Sequence, residues 1–179
     1  IFSFEKCNPD REFFRKRLGE AMQYRVSAGI AGRPDTTVWR LVHGEGDGLP
    51  GLIVDIYGNV AVMQAHTAGF WHIREMIADL LPEVTGGLVT AVYDKSEGTL
   101  PFMAKLNPAN GYLIGGNGEA GTVVTENGFK FRVDWEKGQK TGFFIDQRDS
   151  RILLARYSSG RRVLNMFGYT GGFSVYAMS

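Results

Sequence analysis

The chain has 179 residues, of which 44% are hydrophobic, 12% aromatic and 22% charged, a balance that fits a globular protein and excludes disordered, collagenous and coiled-coil chains. Its longest apolar runs, such as Leu52-Ile53-Val54 and Phe143-Phe144-Ile145, fall far below the roughly 18–20 residues of a membrane-spanning helix. The net charge is +1, and one cysteine with three scattered histidines offers neither a disulfide nor a metal-ligand spacing. Reading along the chain, Asn8-Pro9-Asp10 opens a helix over 9–28, because Asn caps, Pro fits the first turn and Asp suits the positive end of the helix dipole. Phe14, Leu18, Ala21, Met22 and Val26 give it an apolar face, and Gly29 stops it. Strands are expected over 37–42, 52–57 and 60–65, the last two turning at Gly58-Asn59. Phe70, Ile73, Ile77 and Leu80 mark an amphipathic helix ended by Pro82, and 88–93 returns as a strand. Residues 107–121 read as a glycine-rich loop. A hairpin follows, with strands 122–125 and 129–134 joined at Asn127-Gly128. Then come a helix over 147–157 with Asp146 at its start, a turn at 158–160, an apolar strand over 162–167, a loop over 168–172 and a further helix. No internal repeat interrupts this order.

Charge is unevenly spread. Seven basic and four acidic residues fall in 1–33, four and ten in 34–121, and seven and three in 136–162. Basic ends flanking an acidic middle could present cations to a polyanion, since neutralising phosphates releases counterions; a solvated helix face accounts for the same pattern. The N-terminus lacks the basic start and long apolar core of a secretory signal, so a cytoplasmic setting is expected. The chain begins with Ile and ends at Ser179 inside an apolar run, and it is expected to be a piece of a longer protein.

Three segments could carry chemistry. Gly116 to Gly121 matches G-x-G-x-x-G, but a dinucleotide fingerprint must follow a strand and open a helix, and this one runs into the hairpin. Residues 163–173, V-L-N-M-F-G-Y-T-G-G-F, have the right context: an apolar strand, a glycine-containing loop that lets the backbone approach a ligand, and a helix start with unpaired N–H groups. The spacing is neither a P-loop nor a Rossmann fingerprint. Residues 138–151, G-Q-K-T-G-F-F-I-D-Q-R-D-S-R, gather polar side chains about a helix start, where Asp146 can cap and Gln147, Arg148 and Arg151 can face a pocket.

Together the segments G-Q-K-T-G-F-F-I-D-Q-R-D-S-R and V-L-N-M-F-G-Y-T-G-G-F resemble the S-adenosylmethionine-dependent methyltransferases of bacterial large-subunit ribosomal RNA, particularly the cytosine-C5 branch. Upstream, Arg40 to Gly58 and the helix start from Asn8 to Leu18 are similar to the central domain of the same family, so the resemblance runs along nearly the whole chain. It implies an α/β fold in three parts: a central mixed α/β domain over 1–106, a loop and β-hairpin connector over 107–135, and over 136–179 the truncated start of a Rossmann-like methyltransferase domain. In the family an RNA-binding PUA domain comes before the central one.

The cofactor implied is S-adenosylmethionine (SAM). The partner implied is large-subunit ribosomal RNA, with no membrane and with a homodimer left open. Asn165, Phe167, Tyr169, Thr170 and Gly171 fall on the family's cofactor loop, and Phe144, Asp146, Gln147 and Arg148 on the segment that closes over the cofactor. Gly168 departs from the usual Ser or Ala, and Met166 from the usual Cys or Leu.

The family's catalytic cysteine, which adds to C6 of cytosine so that C5 can attack the methyl group, and its Asp-Pro-Pro motif would both lie past Ser179. So would the acidic residue that grips the ribose. Cys7 matches no nucleophile position, and the chain alone is expected to be inactive. Guanine-N7 methylation is the alternative within the superfamily, since that branch shares the K-T-G-F-F-x-D-x-R and N-x-F-x-Y-T-G segments, and a non-catalytic RNA-binding module is the alternative outside it. The strand over 163–167 would need cover on both faces, so within this chain it is expected to be disordered or to pair with another molecule.

Overall fold

A computed structural model describes residues 6–101, 105–116 and 121–179. Helix α1 (Arg11–Ser27) begins one residue after Asp10, whose carboxylate accepts from the Phe13 amide at 3.0 Å. The cap is therefore Asp10 rather than Asn8. Strands β1 (Val38–His43), β2 (Leu52–Tyr57), β3 (Val60–Ala65), β4 (Ala91–Asp94) and β5 (Gly111–Ile114) form one sheet in that order. All neighbours run antiparallel except β3 and β4, which are parallel and are joined by the crossover through α2 (Ala68–His72) and α3 (Arg74–Val84).

Both faces of this sheet are buried, and the period of two along the strands sorts its side chains between them. Trp39, Leu41, Leu52, Val54, Ile56, Ala61, Met63 and Val92 join Phe14 and Leu18 of α1 and Ile77, Leu80 and Leu81 of α3. Val38, Tyr57, Val60, Val62, Ala91 and Tyr93 turn the other way and pack on β6 (Thr122–Glu126), β7 (Phe129–Val133) and the segment that follows, through Val124, Phe131, Val133, Trp135, Phe143 and Tyr176. The hairpin is also hydrogen-bonded to the residues before β1: Thr37 N donates to Thr125 O at 2.7 Å and Asn127 N to Thr36 Oγ1 at 3.0 Å. At its tip Asn127 and Gly128 both take positive φ, 49° and 84°, the backbone of the type I′ turn that their sequence predicts.

Buried polar groups on this second face are paired across long sequence separations. Glu126, fully buried, accepts from both sides of the Arg151 guanidinium at 2.8 Å and from Arg148 Nε at 3.3 Å. Tyr176 donates its hydroxyl to Glu126 Oε1 at 3.1 Å and accepts from Asn127 Nδ2 at 2.8 Å. Burial, reinforced by the Glu126 charge, pushes that phenol up to about 12. These bonds fasten α4 (Arg148–Ser158) and α5 (Gly172–Ala177) to the hairpin.

Several expectations need correction. The loop expected over 107–121 contains β5, whose short Gly-Tyr-Leu-Ile run lacks any length or periodicity that would announce it. Pro82 lies inside α3 instead of ending it: the helix continues to Val84, and the Thr85 hydroxyl donates to the Leu81 carbonyl at 2.7 Å. The strand expected over 88–93 pairs only from Ala91, because 88–90 leave α3 through a turn in which Val89 N donates to Thr85 Oγ1. Asp146 caps nothing. It sits in a 3₁₀ turn over Ile145–Gln147, exposed and ion-paired to Lys140 at 3.6 Å, while Gln147 holds the cap position of α4. Most consequentially, 162–167 forms no strand. No strand lies beside it among the described residues, so its ladder groups have no strand to pair with in this chain, and it takes an irregular, largely solvent-exposed path. The residues 117–120 of the G-x-G-x-x-G match lie outside the described residues, and Gly121 leads directly into β6.

Candidate cofactor site

Where 138–147 meets 165–173, the two sequence motifs form opposite walls of one open cleft of about 570 Å³, within the usual range for small-molecule sites. Of the nine residues singled out by sequence, six line it: Phe144, Gln147, Asn165, Phe167, Tyr169 and Thr170. Gly171 stands at the mouth of α5 with φ of 75°, turning the loop into that helix. Asp146 and Arg148 face a neighbouring groove that runs past the end of α1. The Arg148 guanidinium is already bonded to the Val38 carbonyl and to Glu126, so it braces the start of α4 against β1 and the hairpin.

Sequence reasoning did not single out Gln139, Phe143 and Phe173, which line the cleft together with Arg151, a residue it had placed facing a pocket. Arg151 was legible in part, since it falls four residues after Gln147 on the same helix face. Its guanidinium is spent on Glu126 and on the Phe144 carbonyl at 3.0 Å, beneath the rings of Phe143 and Phe173. Arg151 therefore builds the floor of the cleft rather than presenting a free charge to it.

The walls are locked from below. Thr141 is fully buried, and its hydroxyl donates to Asp55 Oδ2 at 2.6 Å and shares a 2.8 Å bond with the Tyr57 hydroxyl. Arg40 closes on the same Asp55 through two bonds of 2.7 and 2.9 Å. That hydrogen-bonded partnership with Asp55 raises the Arg40 pKa against the opposing pull of burial, while burial is the main cause of a raised pKa at Tyr57. The Thr of the K-T-G segment is thus the anchor of the turn to the central sheet. On the other wall Asn165 Nδ2 donates to Ser174 Oγ at 2.8 Å, tying the loop to α5. Gly168 fits this arrangement: a Cβ there would lie 3.2 Å from Asn165 Nδ2, a tight contact that the Ser or Ala usual in the family would have to relieve.

Chemically, the cleft combines aromatic faces (Phe144, Phe167, Phe173) with amide and hydroxyl edges (Gln139, Gln147, Asn165, Thr170). Such a lining suits a ligand that joins a flat ring to hydrogen-bonding groups. Among the described residues no cluster of His, Cys, Asp and Glu could hold a metal ion, and no helix is long and apolar enough to cross a membrane.

A family model described as S-adenosylmethionine-dependent methyltransferase matches residues 80–179, which include both walls of the cleft. The chain belongs to that family. Curated relatives of this chain include proteins named ribosomal RNA large subunit methyltransferase I from Vibrio vulnificus, 39% identical over 99% of the chain, and from Klebsiella pneumoniae, 40% identical over the same share. The chain spans less than half of each, 44%. Among solved structures it is similar to a protein from Streptococcus mutans described as a SAM-dependent methyltransferase, with a TM-score of 0.83 and 28% identity over 99% of this chain and 44% of that one. A second methyltransferase structure, complexed with S-adenosylhomocysteine (SAH), matches with a TM-score of 0.84 at 27% identity and the same coverage. The α/β architecture expected from sequence is thus that of SAM-dependent methyltransferases, and SAM is the family's methyl donor.

Proposed function

We propose that the protein carrying this chain transfers a methyl group from SAM to a base of large-subunit ribosomal RNA, and that the base is a cytosine methylated at C5. The observation that carries the reading is identity of about 40% along 99% of the chain to relatives named for that RNA. The cleft supports it, since the two motif segments converge there with a lining suited to the cofactor. In this reading residues 1–106 form the central domain, 107–135 the connector and 136–179 the opening of the catalytic domain. The protein acts in the cytoplasm.

The bound cofactor supplies an electrophilic methyl group. The chain's own residues hold and orient it: Phe144, Phe167 and the Tyr169 ring give apolar contact, Gln147, Asn165 and Thr170 give hydrogen bonds, and Gly171 lets the backbone come close. Asp146 and Arg148 act from behind the wall, the second by fixing α4. No nucleophile for C6 is at hand, since the lone cysteine, Cys7, is exposed and precedes α1. The chain by itself is therefore expected to bind SAM without methylating RNA.

The test is to incubate the protein of the natural reading frame with unmodified large-subunit RNA and methyl-labelled SAM, then digest to nucleosides. Label in 5-methylcytidine is expected. Label in 7-methylguanosine would replace cytosine by guanine as the target, and salt-sensitive RNA binding without methyl transfer would leave only an RNA-binding module.

A further inference from the structure

The side chain of Tyr169 joins the two walls of the cleft. Its hydroxyl accepts a hydrogen bond from the Gln139 amide at 2.8 Å and donates one to the Gly142 carbonyl at 3.1 Å, and its ring meets Phe144 edge-on at 5.4 Å. Gly138 makes room for this: a Cβ there would stand 2.6 Å from the Tyr169 hydroxyl and 2.3 Å from the Asp134 carbonyl. The turn that receives the hydroxyl is closed on itself by Gly142 N donating to Gln139 O at 2.8 Å, and it is anchored to the central sheet through Thr141 and Asp55. Lys95 of the residues following β4 also donates to it, at the Gly138 carbonyl.

Tyr169 reaches this position at a cost in backbone conformation. Its φ is 48°, and Phe167 two residues earlier has a φ of 59°. Aromatic residues adopt that left-handed region only where the surroundings over-determine it. The surroundings here are the two hydrogen bonds of the hydroxyl. With its proton donated and a lone pair occupied, that hydroxyl is committed to backbone partners, which leaves the ring as the part of Tyr169 that faces the cleft.

We propose that Tyr169 is a positioning residue, whose hydroxyl latches the 165–172 loop to the Gln139–Gly142 turn and so sets the separation of the two cofactor-binding walls. The proposal rests on the reading of the cleft as the SAM site. It makes the central sheet part of the cofactor site at one remove, through Asp55, Thr141, the turn and the latch.

The experiment titrates SAH calorimetrically into the 179-residue chain and two variants. Tyr169→Phe keeps the ring and removes both latch bonds. Thr85→Val removes an equivalent bridging hydroxyl at the end of α3, which donates to Leu81 O at 2.7 Å and accepts from Val89 N at 3.2 Å. Expected results are SAH binding roughly tenfold weaker for Tyr169→Phe, the scale of one or two lost hydrogen bonds, and unchanged binding for Thr85→Val even as its melting temperature falls. Amide hydrogen exchange supplies the readout that a general loss of stability would not give: Gln139 exchanges faster in ligand-free Tyr169→Phe, while Val89 does not. Should Tyr169→Phe fail to fold, the wild-type chain still decides, since SAH must slow Gln139 exchange more than Val89 exchange. Equal SAH affinity in wild type and Tyr169→Phe, or a Gln139 amide indifferent to SAH, overturns the latch and leaves the cofactor site standing. A wild-type chain that does not bind SAH overturns both.

Discussion

Two apolar runs of similar composition meet opposite fates in this molecule. Leu52-Ile53-Val54-Asp55-Ile56-Tyr57 lies between β1 and β3, hydrogen-bonded along both edges and buried on both faces. Val163-Leu164-Asn165-Met166-Phe167 has no strand on either edge among the described residues, and Leu164 is 84% and Phe167 98% exposed. The difference does not lie in side-chain preference for extended structure, which both runs share. It lies in partners, because a strand's backbone groups are satisfied only by another strand, and β-propensity is largely packing against neighbours. What fixes 163–172 in the absence of a ladder is a small set of side-chain ties, Asn165 to Ser174 and Tyr169 to the facing turn. The central sheet is held by burial; the cofactor loop is held by a few polar contacts.

That contrast predicts where damage is severe. The largest effect is expected at Arg151, whose loss leaves the buried Glu126 carboxylate with the neutral Tyr176 hydroxyl and, for a cation among the described residues, the more distant Arg148. Arg151→Ala should cost about 3–5 kcal/mol, the usual result of stranding one member of a buried pair, measured by urea unfolding. Retention of wild-type stability would mean that the second face of the sheet is held by apolar packing alone. Next come matched truncations in the two runs. Ile56→Ala, in the core beneath α1 and α3, should cost about 2–5 kcal/mol, whereas Leu164→Ala should change stability by less than about 0.5 kcal/mol. A comparable loss at Leu164 would show that the irregular segment is packed in solution, and the contrast between the two runs would fail.

How much of this was legible follows the same division between local and non-local physics. The hairpin could be read because Asn127-Gly128 carries its turn geometry in two residues, and β2 and β3 because two apolar runs turn at Gly58-Asn59. The convergence of the two motifs could be named by resemblance, and the cleft brings six of the nine residues together. Asp146, expected as a cap, and Arg148 both stand beside the cleft and not in its wall, for a common reason. Position at a helix start suggests a cap or a ligand contact, but it cannot reveal that Lys140 pairs with the first or that Val38 and Glu126 take up the second. The tie from Thr141 to Asp55 spans 86 residues and that from Tyr169 to Gln139 spans 30. No periodicity encodes such pairs, and β5 was missed because its pairing with β4 is likewise non-local.

A further prediction concerns ion pairs, and it sharpens the contrast in a different currency. In the central unit Arg25 reaches Asp47 through two bonds of 2.5 and 2.7 Å, with each side chain 8% exposed. Burial pushes the Asp47 carboxyl up, but the Arg25 hydrogen bonds, the His43 amide and the nearby positive charge outweigh it, and the net pKa lies below the ordinary 3.8. A carboxylate whose pKa is lower folded than unfolded adds stability above about pH 3.8, and that contribution is lost as pH falls through the folded value. Asp47→Asn should therefore lower stability by about 1–3 kcal/mol at pH 7, by leaving Arg25 without its charged partner. It should also flatten the fall in stability between pH 4 and the acid limit, followed by urea midpoints across that range. By the cleft, Lys140 and Asp146 stand 3.6 Å apart with side chains 50% and 60% exposed, and Asp146→Asn should cost less than about 1 kcal/mol because solvent screens the pair. An acid limb of equal slope in wild type and Asp47→Asn would mean that Arg25 is held by the Arg40 carbonyl, 3.0 Å from its Nε, and that the charge of Asp47 contributes nothing. The link of Arg25 to the central unit would then rest on burial and that backbone hydrogen bond.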